Sequence, residues 1–344
     1  MATIRLYPSG REVPCPEGST VLAALEAEGW ALPNNCRAGT CGECKVKVRQ
    51  GEFDQGFVLD MALSPAERAE GYGAMCMAKP LSDVLEIEWG TIDARPLLFP
   101  PRRDVPFTLV DAIERTPAIT ELVLRPDEEP LRYWPGQYVH LGNPPDAPRR
   151  AYSIANAPRA DGELHFFVTR ERFGRTSAWL LDRRPGDELR LDGPYGAFIG
   201  DPSIATPVVC LAAGSGLAPI LALTDAALRR GFAHPVTLVL SARTEADVYP
   251  RGLLAHLERR YGNFHFVRTL TRDEGPPPRG RIPAILADLV GTLAGVAVFI
   301  AGPEAFVEDT RRACLALGAD PSSLYREPYV PQDDLGSLSV LGPW

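Results

Sequence analysis

No part of this 344-residue chain is apolar for long enough to cross a bilayer. A spanning helix needs about 20 predominantly apolar residues. The longest apolar run, Pro207 to Leu223, is broken by Gly214, Ser215, Gly216 and Pro219. No secretory leader is expected, because Met1-Ala2-Thr3-Ile4-Arg5 runs directly into an alternating strand pattern. Basic charge is scarce as well. With 36 Lys and Arg against 44 Asp and Glu, the formal charge is −8, which argues against nucleic acid as a partner. Gly and Pro, at 31 and 34 residues, stay below the roughly 25–30% that marks low-complexity chains. What is present, 45% apolar and 23% charged residues, is the composition of a globular chain. The length prior of roughly 100–200 residues per domain then gives two or three domains.

Four of the seven cysteines stand in a pattern. Asn35-Cys36-Arg37-Ala38-Gly39-Thr40-Cys41-Gly42-Glu43-Cys44 reads C-x4-C-x2-C, and Cys76 follows downstream. That is the plant-type spacing of a [2Fe–2S] cluster. The small residues of the loop would let backbone amides turn inward and donate to the sulfurs. Scattered buried thiols would not produce this spacing. A structural zinc site pairs its cysteines as C-x2-C, and only Cys41 and Cys44 do so here. Cys15, Cys210 and Cys314 remain outside any evident pairing scheme, as expected of a reducing cytoplasm.

The negative charge is unevenly placed. Residues 1–94 carry 14 acidic and 8 basic side chains, and the remaining 250 carry 30 and 28. An ordinary solvated surface would explain this. So would an acidic electron-transfer face steering toward a basic partner.

Residues 1–94 form the expected first domain. Thr3–Leu6 and the segment around Val13 read as a hairpin. Thr20 to Ala27 has helical spacing, with a stop at Gly29. Lys45–Arg49 and Val84–Glu88 alternate as strands, and Ser64-Pro65-Ala66-Glu67 is a capping box with Pro at the first helical position. A small sheet crossed by short helices is a β-grasp-like arrangement. Here the chain resembles the plant-type ferredoxins, and that resemblance implies Cys36, Cys41, Cys44 and Cys76 as cluster ligands.

Residues 95–103 are Pro-rich without a period, as an interdomain linker should be. Over 104–204, five short strand patterns (Phe107–Ile113, Thr120–Arg125, Gln137–Leu141, Leu164–Arg170 and Glu188–Leu191) argue for an antiparallel barrel. Three motifs sit on it. Arg150-Ala151-Tyr152-Ser153 supplies a cation, an aromatic plane and a hydroxyl, the groups a flavin needs for its pyrophosphate, its ring and its reactive nitrogen. Gly174-Arg175-Thr176-Ser177 opens a helix whose amides could hold phosphate. Asp192-Gly193-Pro194-Tyr195-Gly196 reads as a rigid turn close to a bound cofactor. Each has a plain alternative: a surface charge, a helix cap, a turn. In this order they resemble the ferredoxin–NADP reductase superfamily. That resemblance assigns Arg150, Tyr152, Ser153, Val168 and the Gly174–Ser177 turn to FAD, with Ser153 at the reactive nitrogen and Tyr152 covering the ring.

From 205 to 344 strands alternate with helices, which is the pattern of a doubly wound parallel sheet. The first strand ends at Ala213-Gly214-Ser215-Gly216-Leu217-Ala218-Pro219, where glycines would let backbone approach a pyrophosphate. This is not the full G-x-G-x-x-G fingerprint, but the superfamily has G-x-G-x-A-P at the corresponding turn. The resemblance therefore assigns Gly214, Gly216, Leu217, Ala218 and Pro219 to the dinucleotide, with Arg243, Gly302 and Pro303. Arg243 could meet a 2′-phosphate or stack on adenine, so NADPH stays possible beside the expected NADH. Ala301 stands where the superfamily usually has a cysteine beside the nicotinamide. Glu327, in Tyr325-Arg326-Glu327-Pro328-Tyr329, matches the region where the family places an acid and an aromatic near the flavin. Pro328–Trp344 is expected to be a disordered tail, with Val340, Leu341 and Trp344 as a candidate docking patch.

The whole is a multidomain α+β, β-barrel and α/β chain. Its order (ferredoxin, FAD barrel, NAD domain) resembles the electron-transfer reductases of bacterial multicomponent oxygenases. The resemblance implies a monomeric cytoplasmic enzyme passing electrons from NADH to FAD to the [2Fe–2S] cluster, and on to a terminal oxygenase or intermediate ferredoxin. A reductase of a deoxysugar-forming dehydratase shares this order, and a non-catalytic redox sensor or carrier would keep the same folds.

Overall fold

The computed structural model describes the chain except for Asn35 and residues 145–146, 172–173, 202, 274–277 and 330–344. It divides into two compact units, Met1–Arg102 with Pro194–Ala197, and Arg103–Gly193 with the residues from Phe198 onward. The candidate patch at Val340, Leu341 and Trp344 lies outside the described residues.

In the first unit the hairpin is formed by β1 (Ala2–Tyr7) and β2 (Arg11–Cys15), with Ile4 opposite Val13. Helix α1 (Val21–Ala27) starts where the Thr20 side chain accepts from the Ala23 amide. It buries Val21, Leu22 and Leu25 against the sheet. Next come β3 (Lys45–Gln50), β4 (Phe53–Asp54), α2 (Pro65–Ala69), β5 (Tyr72–Ala74), β6 (Lys79–Pro80) and β7 (Val84–Glu88). The main sheet has the order β2-β1-β7-β3-β5, with β1 and β7 parallel, and β4 pairs β6 separately. First and last strands lie side by side at the centre under a helix, which is the β-grasp arrangement. The Ser64–Glu67 capping box forms in full at α2. The Pro-rich stretch is anchored in this unit, because the Leu97 and Leu98 amides both donate to Gly29 O at 2.8 Å.

The second unit opens with a six-stranded antiparallel sheet. Its strands are β8 (Arg102–Thr116), β9 (Ile119–Pro126), β10 (Tyr138–Asn143), β11 (Ala147–Ser153), β12 (Leu164–Thr169) and β13 (Glu188–Tyr195), in the order β11-β10-β13-β8-β9-β12. A bridge between Ile154 and Phe166 joins the two ends, curling the sheet toward closure. Helix α3 (Arg175–Leu181) lies between β12 and β13. The sheet differs from expectation in two places. The segment read as Phe107–Ile113 is part of a 15-residue strand. The motif read as a turn at Asp192–Gly196 is mostly the end of β13. There Gly193, at φ +151°, lets Val139 approach so closely that a Cβ would sit 2.9 Å from its Cγ1. The ladder therefore overrides the local turn signal.

The remainder alternates as read. Its elements are β14 (Val208–Ala213), α4 (Leu217–Arg229), β15 (Val236–Ala242), α5 (Arg251–Arg260), β16 (Phe264–Leu270), α6 (Ile282–Val290), β17 (Ala297–Pro303), α7 (Glu304–Ala316) and β18 (Leu324–Tyr329). They form a parallel sheet of order β16-β15-β14-β17-β18. Strand order reverses at β14, so the crevice above its carboxyl end is the expected ligand position. Among the described residues no helix is long and apolar enough to cross a membrane.

Candidate cluster and cofactor sites

The four patterned cysteines converge. Cys36, Cys44 and Cys76 are buried at 3–6% exposure, and Cys41 is half-buried. Backbone N–H groups of Ala38, Thr40 and Cys41 donate to Cys36 Sγ at 3.4, 3.3 and 3.3 Å, and the Cys76 N–H donates to Cys44 Sγ at 3.4 Å. These are the inward-turned amides that the loop composition implied. Bonds from Cys41 and Cys76 draw the Cys36 thiol far below its ordinary range. Among the described residues no three His, Cys, Asp or Glu side chains close around a single ion. Four cysteine sulfurs met by backbone N–H donors fit a two-iron cluster.

The loop is held in shape by backbone and by one buried ion pair. Gly39 and Gly42 have φ of +72° and +74°, and a Cβ on either would lie 2.7 Å from a carbonyl oxygen, of Phe57 and Ala62 respectively. Arg37, also left-handed at φ +55°, reaches Glu26 on α1 at 2.5 and 2.7 Å. Glu26 is 3% exposed, and Asn34 Nδ2 donates to it at 3.4 Å. The helical spacing of α1 hid this carboxylate, which sits beside Leu25 on the inward face.

On the second unit, Arg150, Tyr152 and Ser153 lie along β11, where Arg150 pairs with Leu141 and Tyr152 with Val139. Alternation turns Arg150 and Tyr152 to one side and Ser153, 8% exposed, to the other. Gly174 starts α3 with no side-chain cap, and a Cβ there would meet Ser177 Oγ at 2.5 Å. The Thr176 hydroxyl donates to Pro148 O and the Ser177 hydroxyl to Gly174 O. The helix start is thereby fastened to β11, and two of the three barrel motifs stand together. Their donors (a guanidinium, hydroxyls and first-turn amides) suit a pyrophosphate-bearing cofactor. Val168 on β12 is fully buried in the barrel core. The third motif has a structural role, with Asp192 accepting the Asp104 N–H at 2.7 Å and pairing with Arg149.

At the end of β14, Gly214-Ser215-Gly216 makes one 3-10 turn leading into α4. Gly216 passes so close to β17 that a Cβ would lie 2.3 Å from Ala301 O and 2.6 Å from Gly302 Cα. The turn is therefore a cradle that only glycine completes, as a dinucleotide requires. Gly302, at φ +150°, and Pro303 end β17 beside it. Leu217, Ala218 and Pro219 are buried in the first turn of α4. Ala301 is fully buried. After β15, Arg243 is exposed. The acid that follows it, Glu245, is engaged by Arg251 at 3.1 Å and Arg268 at 2.8 Å, while Asp247 caps Thr244.

Three hydroxyls hold these parts together, two of them, on Thr169 and Tyr249, outside every motif read from the sequence. Tyr329, at the end of β18, donates to Ser153 Oγ at 3.1 Å and lies 3.3 Å from Ser215 O. Thr169 on β12 donates to Ser215 Oγ at 3.1 Å, and Tyr249 donates to Gly214 O at 2.9 Å. Burial pushes both phenols well above their ordinary range, so they remain neutral donors. Glu327, 4% exposed, lies two residues before Tyr329 and across from Ala301. The sequence located the aromatic but held no signal for its partners, which are 176 and 114 residues away.

Family models match three consecutive stretches: a 2Fe-2S iron-sulfur cluster binding domain over residues 4–81, an oxidoreductase FAD-binding domain over 106–199, and an oxidoreductase NAD-binding domain over 210–312. The chain is 35% identical to the reductase subunit of an aromatic O-demethylase from an Amycolatopsis species, over 96% of this chain and 99% of that one. It is 32% identical to the reductase component of a phenol 2-monooxygenase from a Pseudomonas species, over 89% and 88%. Among solved structures it is similar to an Amycolatopsis cytochrome P450 reductase, with a TM-score of 0.85 at 33% identity, covering 96% of this chain and 99% of that one.

Proposed function

The chain belongs to the family of oxygenase reductase components, and on that premise we propose that it oxidises NADH and delivers single electrons to an oxygenase component or an intermediate ferredoxin. A flavin exchanges a two-electron donor for one-electron carriers, which is why a cluster and a flavin belong on one chain. Cys36, Cys41, Cys44 and Cys76 hold the cluster, and their backbone donors set its electrostatics. Arg150 and the start of α3 bind the FAD pyrophosphate, Tyr152 covers the ring, and Ser153 offers its hydroxyl at the reactive nitrogen. Val168 on β12 completes the FAD-binding set. Gly214, Gly216, Leu217, Ala218 and Pro219 receive the nicotinamide dinucleotide at the start of α4, bounded by Gly302 and Pro303, with Arg243 toward its adenosine end. Glu327 is the buried acid of the site.

One observation carries this reading. A single side chain, Tyr329, touches both the flavin-strand hydroxyl Ser153 and the dinucleotide turn at Ser215. That contact supports a reading in which flavin and nicotinamide lie close enough for hydride transfer. Relatives named as reductase components support an oxygenase as acceptor, and we take the enzyme to be a cytoplasmic monomer. Anaerobic titration of the purified holoprotein with NADH tests the proposal. Stoichiometric bleaching of the visible spectrum within the mixing time is expected. Slow or absent bleaching would mean a sensor that keeps the fold without the activity.

A further inference from the structure

The cluster loop rests against a segment whose outer side is apolar. Gly39 and Gly42 approach the carbonyls of Phe57 and Ala62, and the Leu59 N–H donates to Gly39 O at 3.0 Å. The segment turns Val58, Ala62 and Leu63 inward, at 7%, 2% and 0% exposure. The same turn leaves Phe57 61% and Met61 79% exposed. Large side chains left in water this way, on backbone that touches a functional loop, mark contact surfaces, and Phe and Met are enriched at the centres of protein interfaces. Acidic side chains outnumber basic ones around them. Asp54 and Asp60 are exposed on the same stretch, and Glu43 lies in the cluster loop itself. Of the nearby cations, Arg37 is engaged by Glu26 and Lys45 by Glu67, and Lys79 stands across the β4–β6 ladder from Asp54. Arg68 lies 3.6 Å from Asp60 while donating to Val58 O.

We propose that Phe57 and Met61, flanked by Asp54 and Asp60, are the docking surface for the electron acceptor, a protein whose contact face has an apolar centre ringed by Lys and Arg. The inference rests on the electron-transfer reading above and adds the surface and the chemistry of the partner. Apolar anchors at the centre would set the residence of the complex, and the carboxylates would steer its encounter. A partner seated there would contact the backbone against which the cluster loop packs at Gly39 and Gly42.

The test uses the holoenzyme, NADH and cytochrome c, a small basic electron-acceptor protein. Phe57→Ser with Met61→Ser should raise the KM for cytochrome c about tenfold, the weight of one interface anchor. Ferricyanide reduction and the visible cluster spectrum should not change, and Phe57→Leu with Met61→Leu should restore most of the lost affinity. Asp54→Asn with Asp60→Asn should raise the same KM several-fold and flatten its salt dependence. An unchanged KM in the serine pair overturns the proposal. Should that pair lose its cluster, an unchanged KM and salt profile in the asparagine pair overturns it instead. A wild-type chain that reduces neither acceptor would count against the electron-transfer reading, not against the surface.

Discussion

The hydroxyl of Tyr329 donates to Ser153 Oγ at 3.1 Å across 176 residues of chain. It joins the last described strand of the dinucleotide fold to the barrel strand that carries the flavin motif. Burial keeps the phenol neutral, with the nearby Glu327 adding to the upward push on its pKa. Tyr329→Phe preserves the ring and removes this bond, leaving Ser153 short of a partner. A buried hydrogen bond contributes about 1 kcal/mol, so the melting midpoint should fall by about 2–4 °C. NADH-driven ferricyanide reduction should slow several-fold at unchanged FAD content. Unchanged turnover would show that the Ser153 hydroxyl needs no such support.

At the cluster, Cys41 is the most exposed of the four ligands proposed, and its neighbour Cys36 takes three backbone N–H donors. Cys41→Ser exchanges a thiolate for a poorer ligand without disturbing the second unit. We expect cytochrome c reduction to be abolished, while the flavin goes on reducing ferricyanide at near wild-type rate. Equal loss of both activities would mean that electrons do not pass through the two centres in series.

Local signals reached far along this chain, and their limit has a physical cause. The Ser64–Glu67 capping box, the β1–β2 hairpin and the cysteine spacing each act within a few residues, so their chemistry can be read in place. Strand β18 escaped because Pro328 argues against a strand interior. Among the described residues it lies at the sheet edge beside β17, where proline is tolerated. The Asp192–Gly196 motif misled for the opposite reason, since an inward ladder position overrode local turn chemistry. Contacts such as Glu26 with Arg37 or Tyr329 with Ser153 depend on register and topology, which no periodicity encodes. Local structure was therefore legible where a motif lay within one loop, and contacts were illegible where two elements had to meet.

Gly216 shows how narrow the dinucleotide turn is. A Cβ there would lie 2.3 Å from Ala301 O and 2.5 Å from its carbonyl carbon, both rigid backbone. Gly216→Ala must push the turn off β17 and disturb the Ser215 contacts with Thr169 and Tyr329. The KM for NADH should rise at least tenfold, equivalent to about 1.4 kcal/mol of binding. FAD content and the cluster spectrum should hold. An unchanged KM would show that the pyrophosphate does not approach at this point.

Acid sensitivity should trace to Glu121. This carboxylate, 5% exposed on β9, meets Arg115 Nε at 2.5 Å and His165 Nδ1 at 2.6 Å. For Nδ1 to donate it must carry the proton, and among the described residues His165 Nε2 is then buried without a partner. Burial alone would raise the Glu121 pKa, but the hydrogen bonds from His165 and Arg115 outweigh it and hold the acid below its ordinary 4.5. A folded pKa below the unfolded one means that the unfolded chain binds more protons as pH falls. The stabilisation is therefore complete above about pH 4.5 to 5 and fades as pH drops through the folded value. Urea midpoints measured from pH 7 down to pH 3.5 should fall steeply over the last unit. Glu121→Gln should start lower, by about 1–3 kcal/mol for a buried group left poorly paired, and should follow a flatter course. Parallel curves for the two proteins would assign the acid transition to other carboxylates.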